Sequence, residues 1–101
     1  MNPRQLQQMA AQMQRQMAKI QEELKETDVV GSAGSYVTVT VNGHGDVKAI
    51  TIAPEIVDPN DIDTLQDLVL TAVQDATSKA KALSESRMGA LTGGMKIPGL
   101  M

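Results

Sequence analysis

The sequence predicts an α+β fold: two long helices flanking a small antiparallel sheet. Three observations predict it. Apolar residues recur at alternating +4 and +3 spacing from Leu6 to Leu24, which is the period of one helix face. Around Val37 to Ile52 they alternate with polar residues, the period of a strand. A helical period returns after Pro54 and runs to about Met88.

The first helix is expected over residues 3–26. Pro3 suits a first-turn position, and the Gln, Met, Ala, Lys, Glu and Leu that follow are good helix formers without interruption. Its seam is Leu6, Ala10, Met13, Met17, Ile20 and Leu24, a heptad pattern of about two and a half repeats. Such a helix measures roughly 36 Å at 1.5 Å per residue, deeper than the core of so short a chain, so part of it should project.

A first short strand is expected around Val29-Val30, ending in a Gly31-Ser32-Ala33-Gly34 turn. Ser35 to Val41 reads as a second strand, with Val37, Val39 and Val41 on one face and Tyr36, Thr38 and Thr40 on the other. Asn42-Gly43-His44-Gly45-Asp46 carries the turn residues of a hairpin, and Val47 to Ala53 returns. The meander of two or three strands needs a helix to cover it.

The second long helix is expected from about Asp61 to Met88, with Asn60 or Asp61 as its cap and Asp63 in its first turn. Its apolar positions spread over roughly 200° at 100° per residue. One sheet face needs a stripe nearer 100°. The surplus, notably Leu68 and Leu70, suggests a second contact surface. Residues 89–101 read as a flexible Gly/Met-rich tail behind a single domain over 1–88.

Composition narrows the function. The chain has 101 residues, no Cys, Trp or Phe, one Tyr, seven Met and one His. Disulfides, thiolate metal sites and catalytic thiols are therefore excluded. Apolar runs are too short for a membrane helix, and Met1 to Met17 lacks the apolar stretch of a signal peptide. A catalytic triad needs a base held beside a nucleophile, and His44 lies alone between two turn glycines. Asp58, Asp61, Asp63 and Asp67 lack the ligand spacing and terminal Glu of a calcium loop and suit an acidic helix start. No enzymatic activity, cofactor or small-molecule substrate is expected. A core without Phe or Trp must be built from Val, Ile, Leu, Ala and Met, and a short chain of this kind is expected to gain burial as an obligate homodimer.

Charge is unevenly placed. The net value is −3, yet residues 1–21 hold Arg4, Arg15 and Lys19 and no acid, and residues 76–101 hold Lys79, Lys81, Arg87 and Lys96 against Glu85. Glu55, Asp58, Asp61, Asp63, Asp67 and Asp75 make the middle acidic. On the first helix, Arg4, Arg15 and Lys19 share a stripe opposite the apolar seam, with Gln8 and Gln12 in the same sector. This is a helix buried on one side that offers cations on the other. An ordinary solvated outer face has the same pattern, and Glu22 interrupts the stripe. Lys79, Lys81 and Arg87 also suit the C-terminal half of a helix electrostatically. The Met-rich seam admits a further reading, in which the chain is an interaction module that captures a partner helix.

The chain resembles the YbaB/EbfC nucleoid-associated proteins over essentially its full length. The resemblance rests on the Gln/Met-rich helix Met9 to Leu24, on Val30-Gly-Ser-Ala-Gly34 and on Val37-Thr-Val-Thr-Val-Asn-Gly43. Val47-Lys-Ala-Ile-Thr-Ile-Ala-Pro-Glu55, Asp67-Leu-Val and the Gly/Met tail extend it. It implies a three-stranded antiparallel sheet between long helices, a homodimer whose first helices project as a pair, and binding to double-stranded DNA with little sequence preference in the cytoplasmic nucleoid. By position, the implied DNA contacts are Arg4, Arg15 and Lys19, with Lys79, Lys81 and Arg87 as a second set. Leu6, Met13, Met17, Ile20, Leu24, Leu68 and Leu70 are the expected core and dimer seam. Neither a membrane nor a small molecule is implied as partner. This chain carries Gln where many members have additional Lys in the opening helix.

Overall fold

Helix α1 spans Pro3–Glu26 in the computed structural model, which describes residues 2–93, with side chains through Leu91. Asn2 caps it, its side-chain oxygen accepting the Gln5 amide at 2.8 Å, and Pro3 follows where a missing N–H costs nothing. At the other end the Thr27 hydroxyl donates to the Glu23 carbonyl (2.7 Å) and the Thr27 amide to Leu24. Those bonds satisfy carbonyls that the helix end leaves open.

Strands β1 (Asp28–Ala33), β2 (Val37–Asn42) and β3 (Val47–Ile52) form an antiparallel sheet in that order. The expected turn at Gly31-Ser32-Ala33 is corrected: these residues are strand, paired with Val39, Thr38 and Val37. Small side chains read as a turn in sequence. Gly31 carries no side chain because β1 runs there against the backbone of the second helix, α2 (Ile62–Gly93), at Ala72 and Ala76. The chain turns only at Gly34, whose φ of +57° suits glycine, and Tyr36 belongs to that turn.

The β2–β3 hairpin is organised by Asn42. This buried side chain accepts the amides of His44 (2.9 Å) and Asp46 (3.0 Å) through one oxygen and donates to the Asp46 carboxylate. It is an Asx-type turn with every buried polar atom satisfied. A bulge between Thr40 and Val41 shifts the register into the turn.

After the short 3-10 turn Pro54–Ile56, helix α2 runs Ile62–Gly93. The Asp61 carboxylate receives the Thr64 amide (3.4 Å) and hydroxyl (2.7 Å), while Asp58 accepts the Asn60 amide (2.9 Å). The acidic run thus serves the helix start. The helix continues past Met88, where the sequence reading ends it, because Ala90 and Leu91 keep it going through Gly89. Residues 94–101, with Lys96 and the remainder of the expected tail, lie outside the described residues.

The core is thin. Ala72, Ala76 and Ala80 of α2 lie over Ala33, Val37, Val39 and Val41, ringed by Val29, Ile56, Leu68, Val69 and Val73. Alanine lets the helix approach closely, so little volume has to be filled. The helix lies over β1 and β2 and leaves β3 uncovered. Cross-strand partners Val39–Ile50 and Val37–Ile52 point to the same face, yet Val39 is sealed while Ile50 is 46% exposed. Ser32 meets Asp75 on one flank of α2. Leu70, on the opposite flank by helical phase, is 55% exposed. Val47, Ile50 and Ile52 therefore leave an apolar face open on the β3 side, the flank of α2 that carries Leu70.

Candidate nucleic-acid interface

Helix α1 is an arm. The molecule measures 70 × 29 × 16 Å, and within α1 only Leu24 is fully buried. The sequence pattern suggested burial along one whole side. In this chain Met13 and Ile20 are half-buried, and Leu6, Met9 and Met17 are exposed. The body is too short to cover the seam.

The hydrogen bonds and ion pair that root the arm gather at its C-terminal end. The Gly43 amide donates to the Leu24 carbonyl at 2.7 Å, and His44 Nε2 lies 2.9 Å from the Gln21 carbonyl. A carbonyl only accepts, so Nε2 carries the proton. Glu23 pairs with Arg87 at 3.6 Å, and the Gln21 amide reaches the Met88 sulfur at 3.9 Å. His44 is exposed, as its turn position suggested, but its ring clasps the arm. No local pattern reveals this, because the partner lies 23 residues away.

The six expected cations divide into two groups. Lys79 is bound to Asp75 at 3.0 Å, one turn away, and Arg87 to Glu23. Asp75 also accepts the Ser32 amide at 3.0 Å, and that bond, reinforced by Lys79, holds its carboxyl below the usual 3.8. Among the described residues, Arg4, Arg15, Lys19 and Lys81 form no ion pair, and all four are exposed. Lys25, in the last turn of α1, is a further exposed and unpaired cation. Sequence reading passed over it because Glu22, Glu23 and Glu26 surround it.

Lys81 lines a cleft of about 410 Å³ between the hairpin and α2, with Gly43, His44, Gly45, Thr77, Ser84 and Glu85. The cleft lies beside the root of the arm. From Asn2 to Gln21 the arm carries three cations and no carboxylate, an unbroken positive field along a rod. Among the described residues no three His, Asp or Glu side chains converge to hold a metal, and no helix is long and apolar enough to cross a membrane.

Fold and charge together define a small α+β protein with a basic helical arm standing off a thin sheet-and-helix body. The chain belongs to the YbaB/EbfC DNA-binding family, whose model matches residues 1–95. It is 63% identical over 99 residues to a nucleoid-associated protein of Roseiflexus sp. (strain RS-1), covering 98% of this chain and 99% of that one. It is 61% identical to a nucleoid-associated protein of Chloroflexus aggregans, over 95% of this chain and 97% of the relative. The fold matches the crystal structure of an uncharacterized protein from Helicobacter pylori with a TM-score of 0.76 at 21% identity, over 95% of this chain and 99% of the other. This is a family of nucleoid-associated DNA-binding proteins, not of enzymes.

Proposed function

We propose that the chain acts in the nucleoid as a homodimer that holds double-stranded DNA through phosphate contacts, with little sequence preference. The observation that carries this reading is the acid-free arm with Arg4, Arg15 and Lys19 unpaired. Lys81 at the arm's root adds a further cation without an ion pair among the described residues, while Lys79 and Arg87 are engaged within the fold. The relatives named nucleoid-associated proteins support the setting. Phosphate contacts read no bases, which is the basis for the low sequence preference proposed here.

The dimer is proposed to form at the open apolar face of Ile50 and Ile52, on the flank that carries Leu70. The edge of β1 is guarded, its Ser32 amide taken by Asp75, whereas β3 presents an edge beside exposed isoleucines. Exposed apolar edges are surfaces that a second chain covers. Ile50→Asp with Leu70→Asp should turn a dimer into a monomer by light scattering. An unchanged mass for that variant rejects this face as the interface.

The experiment for DNA binding is a mobility shift on two unrelated duplexes titrated with salt. Six to eight phosphate contacts from two protomers should give a log–log slope of roughly −5 to −7, equal on both duplexes. A flat response, absence of binding at low salt, or strong preference for one duplex overturns the proposal.

A further inference from the structure

The seam of α1 has a property that the DNA contacts do not use. In heptad terms Leu6, Ala10, Met13 and Met17 occupy the two inward positions of a coiled coil. Leu6 is 54% and Met17 40% exposed, so this stretch lacks the cover that the body gives Leu24. The positions flanking such a seam normally carry the charges that select a partner. Here they are Gln7, Met9, Gln14, Gln16 and Gln21, all uncharged. Arg4, Arg15 and Lys19 fall on the remaining, outward positions.

We infer that the arm is a second self-association surface, on which α1 of another copy of this chain pairs, leaving the cations of both arms facing away from the contact. A foreign helix would be selected by complementary charges, and this seam offers none. A copy of itself meets no like-charge repulsion in either orientation, because every flanking position as far as Gln21 is neutral. Glutamines can also hydrogen-bond across the seam.

Two heptads make a weak pair in dilute solution. The pairing becomes favourable where many copies are concentrated on one polyanion. Outward cations on both sides then place two duplexes along one pair of arms. The bridging consequence rests on the DNA reading above; the arm pairing itself does not.

Two experiments test the inference. The chain has no native cysteine, so Met13→Cys reports arm-to-arm contact as a disulfide. It is placed in the Ile50→Asp, Leu70→Asp background, at high protein concentration without DNA. Covalent pairs should form at least tenfold faster than with Gln8→Cys on the outer face. Equal rates for the two positions overturn the arm pairing, whatever the chain does with DNA. In the second experiment, a bead-held duplex captures a second, labelled duplex through the full-length protein. Replacing Leu6, Met13 and Met17 by Gln, a good helix former, should lower capture at least tenfold and leave single-duplex affinity within twofold. Capture that is unchanged by the three substitutions, or absent from the unsubstituted protein while it binds single duplexes, overturns the bridging role. Loss of single-duplex binding by the unsubstituted protein would instead strike the DNA reading.

Discussion

Gly31 of β1 crosses α2 at Ala76 so closely that a β-carbon on residue 31 would stand 2.2 Å from the Ala76 backbone nitrogen. The obstruction is backbone, which cannot swing aside. Gly31→Ala should therefore destabilise the fold by about 3 kcal/mol or more, the upper range of overpacking costs. Urea or thermal unfolding measures it. A loss under about 1 kcal/mol would mean that the helix can lift off the sheet at little cost.

The two lysines of α2 should behave differently on DNA. Lys79 is already held by Asp75, whereas Lys81 forms no ion pair among the described residues. Lys81→Ala is expected to weaken duplex binding several-fold and to flatten the salt slope by about 1 for each protomer bound. Lys79→Ala should change binding less than twofold. Equal effects from both substitutions would show that the Asp75 pair opens on contact.

On the arm, Arg15→Ala combined with Lys19→Ala removes two of the three cations. Affinity should fall by a similar factor for unrelated duplexes, and the salt slope should flatten by about 2 per protomer. A mobility shift at several salt concentrations checks both. Retained affinity would place the contact surface elsewhere.

His44→Ala deletes the ring donor that meets the Gln21 carbonyl. Water can replace the donor at this exposed position, so the global cost should be about 0.5–1 kcal/mol. The local effect should be larger. Amide exchange should speed up in the last turns of α1 and stay unchanged in β2, as hydrogen exchange with mass spectrometry resolves.

Acid should act through Asp75. Its carboxyl lies below the usual 3.8 when folded, first because of the Ser32 amide and then because of Lys79. A lowered folded value means stability that is present above the unfolded value and lost as pH falls through the folded one. The melting-temperature gap between the natural chain and Asp75→Asn should be full at neutral pH and close as the solution becomes more acidic than the ordinary carboxylate range. A gap that persists into strong acid would assign the effect to shape instead of charge.

The parts of the fold written in local periodicity were legible. Pro3 and an uninterrupted run of helix formers mark α1, and the Val-Thr alternation before Asn42-Gly43 marks β2 and its hairpin. What periodicity could not express was proximity. Gly31-Ser32-Ala33 looks like a turn until α2 lies across it. Lys79 and Arg87 look as available as Lys81 until Asp75 and Glu23 are placed beside them. His44 looks like an idle turn residue until Gln21 comes within reach. For Gly31, Arg87 and His44 the deciding neighbour is distant in sequence, and single-sequence reading has no view of it; Asp75 and Lys79, four residues apart on one helix, are the exception that spacing alone could have paired.

The way α1 is rooted has a mechanical side. From Leu24 to Arg4 the rod is roughly 30 Å long at 1.5 Å per residue, and it is gripped at one end by Gly43, His44 and Arg87. Such a lever converts a tilt of about 10° at its base into a swing of about 5 Å at its tip, a sizeable part of a DNA groove's width. On the DNA reading proposed above, adapting to duplexes of different curvature would require no refolding, only a small give in the contacts at the fulcrum.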